Sequence, residues 1–346
     1  MDRAMRRLRI LVLMHPDFVP PDSTDGYTAQ EINRWKTEYD VVSTLRAMGH
    51  DVRPLGVQEE IKPVRDEIEG FKPHVVFTLL EEFHYQTAYD QHIASFLELM
   101  KVPYTGCNPR GLVLARGKDL SKTLVHHRRV AVPAFAVFPM RRKVKRPQRL
   151  ALPLIVKSLN EDGSNGISQA SIVDTDEKLA ERVAFIHARV ETAAIAEQFI
   201  EGRELYVSVL GNNRLKALPV WELKFGAMGD ARRIATEKVK HDTSYQQRVG
   251  IADGPAEDLA PEVSARIQRT AKRIYRTLGL DGYARIDFRL SSDGTPYFIE
   301  ANPNPEIAES QEFAKAALHD GIDYPDLLQR VVNLGIRRAK AGVSVG

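Results

Sequence analysis

The segment from Tyr283 to Pro303, YARIDFRLSSDGTPYFIEANP, constrains the fold more than any other part of the chain. Its flanks alternate apolar and polar residues and its middle holds Ser-Asp-Gly, so it predicts two antiparallel strands joined by a tight turn. Successive strand side chains point to opposite faces. Ala284, Ile286, Phe288 and Leu290 therefore make an apolar face, Arg285 and Asp287 share the other, and Glu300 and Asn302 share one face of the return strand. Pairing across the turn brings Asp287, Glu300 and Asn302 onto one polar surface. Hard oxygen donors beside an arginine suit Mg2+ and a nucleotide phosphate. A solvated ribbon would favour lysine and mixed charge. This one ends in Glu-Ala-Asn-Pro-Asn-Pro, where two prolines stop the strand directly after the candidate metal ligands.

A chain of 346 residues is too long for one small core and suits two or three domains. Its net charge of +3 implies no polyanion partner, and the basic run Arg141–Arg149 lacks interleaved aromatics and reads as a solvated loop. No nucleic-acid partner is expected. The single Cys107 excludes an intrachain disulfide and fits a reducing compartment. No apolar run reaches the roughly 20 residues of a membrane span. The basic start runs into the short segment Leu8–Met14 and then His-Pro-Asp, which reads as a first strand rather than a signal peptide. A cytoplasmic location is the expectation.

Strands are predicted at Leu8–Met14, Asp51–Leu55 and His74–Leu80, with helices over 28–48 and 88–101 between and after them. This alternation predicts a parallel sheet whose ligand groups lie past its strand ends, near Met14–Asp17 and Glu81–Phe83. A helix from Lys118 leads to strands at 134–138, 153–157 and 170–173, then at 194–200 and 204–210. Pro261 to Leu278 predicts an amphipathic helix with Val263, Ile267, Ala271, Ile274 and Leu278 as its stripe and Gly279 as its stop. The tail over 324–341 is also amphipathic and helical.

Lys157 ends a strand and precedes the loop Gly163-Ser-Asn-Gly166. Glycines let backbone N–H groups approach phosphate oxygens, and lysine adds a point charge. The spacing matches neither the P-loop nor the dinucleotide fingerprint. The loop gains weight from its neighbours: Glu197-Gln-Phe-Ile-Glu-Gly-Arg-Glu204 follows it, then Arg285-x-Asp287 and Glu300-x-Asn302. With Val102-Pro-Tyr-Thr-Gly-Cys-Asn108, Lys118, Pro133 and Phe135 in the same order, the chain resembles the ATP-grasp carboxylate–amine ligases, in particular those similar to D-alanine–D-alanine ligase. The matching order runs from about Pro103 to Asn302.

The resemblance implies an α/β fold of three parts: an N-terminal parallel-sheet α/β domain over 1–117, a small α+β lid over 118–198, and a C-terminal mixed α/β domain over 199–346. It implies ATP and two Mg2+ ions, with Mn2+ as a substitute. Lys118 and Lys157 would contact the phosphates and the adenine side, and Gly163 and Ser164 would cover the β- and γ-phosphates. Glu197 would meet the adenine amino group, Phe199 and Ile200 the hinge, and Glu204 the ribose. Asp287, Glu300 and Asn302 would hold the metal. Arg285 would stabilise the tetrahedral intermediate, and Lys240, with Lys238 an equal candidate, would reach the γ-phosphate. The reaction implied joins a small-molecule carboxylate, or a peptide, to an amine through an acyl phosphate; relatives suggest a homodimer. Cys107, in a Gly-Cys-Asn-Pro turn without an evident base, reads as structural.

The substrate turns depart from the family pattern. After the first strand the ligases carry Gly-Gly-x-Ser and a glutamate, whereas this chain has Met14-His-Pro-Asp-Phe-Val-Pro-Pro-Asp22, leaving Glu31 or Glu38 to serve an amine. After the hairpin the ligases read Asn-x-x-Pro-Gly, and here Glu306 replaces the glycine. His241 stands near a tyrosine of the ligases. His15, Glu82, Asn304 and Glu306 are the candidate substrate residues. The expectation is a ligase whose substrates are not two D-alanines; the alternatives are a genuine D-alanine–D-alanine ligase and a non-catalytic ATP-binding switch.

Overall fold

The computed structural model describes residues 7–160, 167–226, 234, 236, 239 and 243–341. It opens with β1 (Arg9–Met14), whose last five residues are buried as expected of a central parallel strand. Then follow α1 (Ala29–Arg34), α2 (Lys36–Ala47), β2 (Asp51–Gly56), α3 (Lys62–Phe71), β3 (Val75–Thr78) and α4 (Asp90–Leu99). The strands form a parallel sheet in the order β2-β1-β3. The helix predicted over 28–48 is two helices. Trp35 leaves helical geometry (φ −127°, ψ 22°), and its ring packs at 5.5 Å from Tyr27 and 5.6 Å from Tyr39. Burial of this large side chain offsets the interrupted hydrogen-bond ladder.

Next come α5 (Pro109–Arg116), α6 (Lys118–His127), β4 (Phe135–Phe138), β5 (Leu154–Ser158), β6 (Ile172–Val173), α7 (Asp176–Arg189) and β7 (Ala194–Gln198). The four strands pair antiparallel in the order β4-β7-β5-β6. They keep a core of their own, in which Leu154, Val156 and Ala196 meet Val183 and Ile186 of α7. By contrast α6 packs on the hairpin, and its Val125 joins the core beneath it.

The third sheet holds β8 (Arg203–Leu210), β9 (Lys216–Ala217), β10 (Trp221–Lys224), β11 (Ala252–Pro255), β12 (Tyr283–Leu290) and β13 (Pro296–Pro303). Its order is β11-β10-β8-β12-β13, with β9 paired to β8. The helices are α8 (Thr243–Val249), α9 (Pro261–Thr277), α10 (Glu312–His319) and α11 (Tyr324–Ala341). The stripe predicted for α9 is buried at Ile267, Ala271 and Ile274. The hairpin pairs Arg285 with Asn302 and Asp287 with Glu300. A bulge then leaves Ile299 unmatched, since the next pair is Phe288 with Phe298.

The first and third sheets share cores, and polar contacts lock the seam between them. Arg338 of α11 donates to the carbonyls of Gly106 and Tyr104, pairs with Asp281 at 2.9 Å, and lies 3.8 Å over the Tyr104 ring. Gly282 has φ +70°, and a Cβ there would fall 2.6 Å from the Gly106 carbonyl. Asn304, at φ 54°, accepts the Cys107 amide at 2.7 Å. Burial pushes the Cys107 thiol up, which fits the structural role expected of it.

Arg338→Ala leaves Asp281 with the Asn108 amide but no cation, and takes the donor from two carbonyls at this seam. It is expected to lower the unfolding free energy in urea by about 2–4 kcal/mol.

Candidate active site

Between the four-stranded sheet and the hairpin lies a cleft of about 650 Å3, counting the space at its open mouth. Its apolar walls are Ile155 and Ile167 on one side and Ile234, Phe288 and Ile299 on the other. Phe199 and Ile200 close it where β7 runs into β8. Lys157, Glu197, Glu204, Asp287 and Glu300 supply polar groups, so most residues that the sequence nominated for nucleotide and metal share one cleft. A cleft lined by both apolar side chains and charged groups has the chemistry for a base joined to phosphates.

At the floor, Glu197 is 1% exposed and stands between two lysines. Lys157 Nζ donates to Oε2 at 3.1 Å, and Lys122 Nζ forms an ion pair with Oε1 at 3.3 Å without hydrogen-bond alignment. Burial pushes the Glu197 carboxyl up, but Lys122 and Lys157 outweigh it and hold the group below the usual carboxylate range. Burial pushes Lys122 down, because Glu197 only partly offsets the loss of water. Lys122 also donates to the carbonyl of the bulged Ile299 and sits 5.4 Å from the Phe298 ring. Sequence reasoning missed Lys122. The available signal was its four-residue spacing from Lys118, which places both on one face of α6. Lys118 itself lies 3.9 Å from Glu300.

Asp287 is 5% exposed. Arg285 grips it with two hydrogen bonds of 2.8 and 3.0 Å, and Asn302 Nδ2 donates to it at 3.0 Å. Arg285 also pairs with Glu312 at 3.6 Å and lies 4.6 Å over Tyr206. Among the described residues no three His, Cys, Asp or Glu side chains converge on a metal position. The donor set is instead two carboxylates and an amide from paired strands. Mg2+ is commonly held by one or two carboxylates with phosphate oxygens and water completing its shell, so these residues fit the ion together with a nucleotide. Glu204 accepts from the Tyr206 hydroxyl at 2.9 Å and lies 3.9 Å from Arg289. Arg289, also missed, is on the Arg285–Asp287 face, donates to the Gly202 carbonyl at 2.9 Å and lies 5.6 Å from the Phe199 ring.

The candidate substrate residues are spread over the seam. His15 accepts the Asp17 amide at 3.2 Å and caps a short turn after β1, and Glu82 accepts from Gln58 at 3.1 Å. Asn304 ties down the Cys107 turn. Glu306 accepts from Thr37 at 3.2 Å and from Gln311 at 3.1 Å. Of the two amine candidates, Glu31 closes a capping box with Thr28, whereas Glu38 is buried on α2. Burial, with Glu81 and Glu306 adding to it, pushes Glu38 up to about 7 against the pull of its own amide. Gly163, Ser164, Lys238, Lys240 and His241 lie outside the described residues.

A family model described as "D-ala D-ala ligase C-terminus" matches residues 124–333. A D-alanine–D-alanine ligase from Desulfotalea psychrophila is 32% identical over 272 residues, covering 76% of this chain and 79% of that protein. A D-alanine–D-alanine ligase from Bacillus anthracis, solved with ATP, has a TM-score of 0.74 at 20% identity and covers 96% of this chain and 99% of its own. A D-Ala:D-Ser ligase from Enterococcus faecalis has a TM-score of 0.70 at 18% identity, covering 95% and 100%.

Two outcomes follow from the buried charges. Lys122→Met leaves Glu197 with one lysine and is expected to cost about 3 kcal/mol of stability in urea unfolding. Glu38 binds its proton more tightly folded than unfolded, so the unfolding free energy should fall as pH rises from 4.5 through about 7. Glu38→Gln should remove about 2–3 kcal/mol of that fall, read from urea unfolding at several pH values.

Proposed function

The chain belongs to the D-alanine–D-alanine ligase family of ATP-grasp carboxylate–amine ligases, and on that premise we propose that its substrates are not two D-alanines. The observation that carries this reading is the position of Glu306. It stands four residues beyond Asn302, and Thr37 and Gln311 hold its carboxylate over the seam. A fixed carboxylate there repels an incoming amino-acid carboxylate. At the end of β1, Pro16 and Val19 crowd Gly56, so the Pro-rich turn fills the space beside that strand. The preferred partners are a small carboxylic acid, or a peptide, and an amine.

In the reaction a substrate carboxylate oxygen attacks the γ-phosphorus of ATP, ADP leaves, and an acyl phosphate results. The amine attacks its carbonyl carbon, phosphate departs, and the amine nitrogen loses a proton. Mg2+, where bound, would offset the negative charge of the phosphates, with Asp287, Glu300 and Asn302 as the residues that would hold it. We assign two such ions, replaceable by Mn2+, to Asp287, Glu300 and Asn302. Arg285, positioned by Asp287 and Glu312, stabilises the oxyanion; such a donor is often worth about 3–4 kcal/mol. Lys118 and Lys157 hold phosphates and Glu197 meets the adenine amino group, while Phe199 and Ile200 border the base and Glu204 takes the ribose. Gly163, Ser164 and Lys240 or Lys238 cover the phosphates. We propose a division into 1–117, 118–198 and 199–346, in which each part holds one of the three sheets and α6 reaches across to pack on the hairpin of the third.

Phosphate release with a panel of acids, amino acids, amines and short peptides tests the substrate reading. Turnover is expected with a pair other than two D-alanines, and robust turnover with D-alanine alone would overturn it. With the productive pair, Asp287→Asn should lower the rate more than about 100-fold while the protein stays folded.

A further inference from the structure

β8 carries a buried tyrosine that lies between the ribose and metal residues and has no part in the reaction as derived above. Glu204 and Tyr206 are two apart on this strand and so share a face. Across the ladder to β12, Glu204 stands opposite Arg289 and Tyr206 opposite Asp287. Tyr206 is 2% exposed, and its hydroxyl donates to Glu204 Oε1 at 2.9 Å. Burial, with Glu204 and Asp287 adding to it, pushes that hydroxyl well above its usual range, so it stays a proton donor.

The ring is fixed by the reaction centre. The Arg285 guanidinium lies 4.6 Å over it, and Arg285 is itself gripped by Asp287 and paired with Glu312. Cation–π attraction strengthens away from water, so the arginine sets the plane of the ring and the line along which its hydroxyl points. Glu204 lines the cleft with one oxygen committed to that hydroxyl. Its Oε2 meets Arg289 as an ion pair at 3.9 Å, beyond hydrogen-bond reach, and keeps lone pairs for a donor in the cleft. A carboxylate tied at one oxygen and open at the other is an ordered acceptor. Without the tie, the side chain spreads over its rotamers, and a ligand must order it on binding.

We propose that Tyr206 is a positioning residue for nucleotide selection: its hydroxyl holds Glu204 in the one orientation that accepts from the ribose hydroxyls, and so makes the site select ribonucleotides. The proposal rests on the reading that Glu204 takes the ribose, and it deepens it by naming the group that orients the acceptor. Tyr206 itself touches no nucleotide. It acts through Glu204, and the Arg285 guanidinium over its ring ties the ribose acceptor to the reaction centre.

Isothermal titration of the full chain with ADP and with 2′,3′-dideoxy-ADP, each with Mg2+, tests this without turnover. The unmodified chain is expected to prefer ADP by about ten-fold or more, the worth of hydrogen bonds to a charged acceptor. Tyr206→Phe keeps the ring and loses the hydroxyl. It is expected to bring that preference within about three-fold while leaving the affinity for dideoxy-ADP within about three-fold of the unmodified chain, which also shows that the site is folded. A side chain that served packing alone would weaken both nucleotides together and leave their ratio intact. An unchanged ratio in Tyr206→Phe, with or without such a common loss, would overturn the proposal. Glu204→Gln separates the two failures, since it is expected to abolish the preference whatever Tyr206 does. A preference lost in Glu204→Gln and kept in Tyr206→Phe sinks only the role of Tyr206, whereas a preference that survives Glu204→Gln, or is absent from the unmodified chain, removes the ribose from Glu204 and the proposal with it.

Discussion

Backbone pairing between β12 and β13 fixes where every candidate metal donor stands. Opposite residues in an antiparallel pair sit within side-chain reach, so Asp287 against Glu300 and Arg285 against Asn302 put three oxygen-bearing groups and a guanidinium within one small area. A slip of one residue would turn one strand's polar set toward the core. The bulge at Ile299 is confined to the segment after this set. It frees a carbonyl from the ladder, and the ammonium of Lys122 takes it up. The same lysine meets Glu197, so one buried charge joins the hairpin to the strand that floors the cleft. The candidate residues Lys157, Glu197, Asp287 and Glu300 thus stand on four strands, β5, β7, β12 and β13, which α6 joins.

Two buried glutamates show how surroundings set what a carboxylate can do. Glu197 has two lysines and stays charged, a permanent acceptor at the cleft floor. Glu38 is pushed up by burial, with the like charges of Glu81 and Glu306 adding to it, and holds its proton more tightly. The first keeps its charge through two ion pairs, although Oε1 has no aligned hydrogen bond, whereas the second is neutralised by its surroundings.

Much of this was legible before any coordinates. The hairpin, the parallel opening sheet and the α9 stripe follow from alternation and turn residues, whereas the convergence of Lys157, Glu197, Glu204, Asp287 and Glu300 was what the family resemblance implied. Lys122 and Arg289 were not found, because a charged residue on a helix or strand normally faces water and their burial depends on which elements pack above them. The break at Trp35 was missed for a related reason: the surrounding residues are acceptable helix formers, and only the packing of Tyr27 and Tyr39 decides it. The contact of Asn304 with the Cys107 turn was not foreseen. That contact spans 197 positions of sequence, a distance at which local pattern carries no information.

The lock between the Gly106–Cys107 turn and Asn304 has a consequence for recombining such chains. The Asn304 side chain occupies the volume that any Cβ at Gly106 would need, and the Gly106 carbonyl in turn crowds Gly282. The amino-terminal third of this protein therefore cannot be exchanged for that of a relative at an arbitrary junction. The stretches 104–108, 281–282 and 302–306 interlock closely enough to act as one packing unit, and a junction that separates them places a mismatch at the hairpin's base.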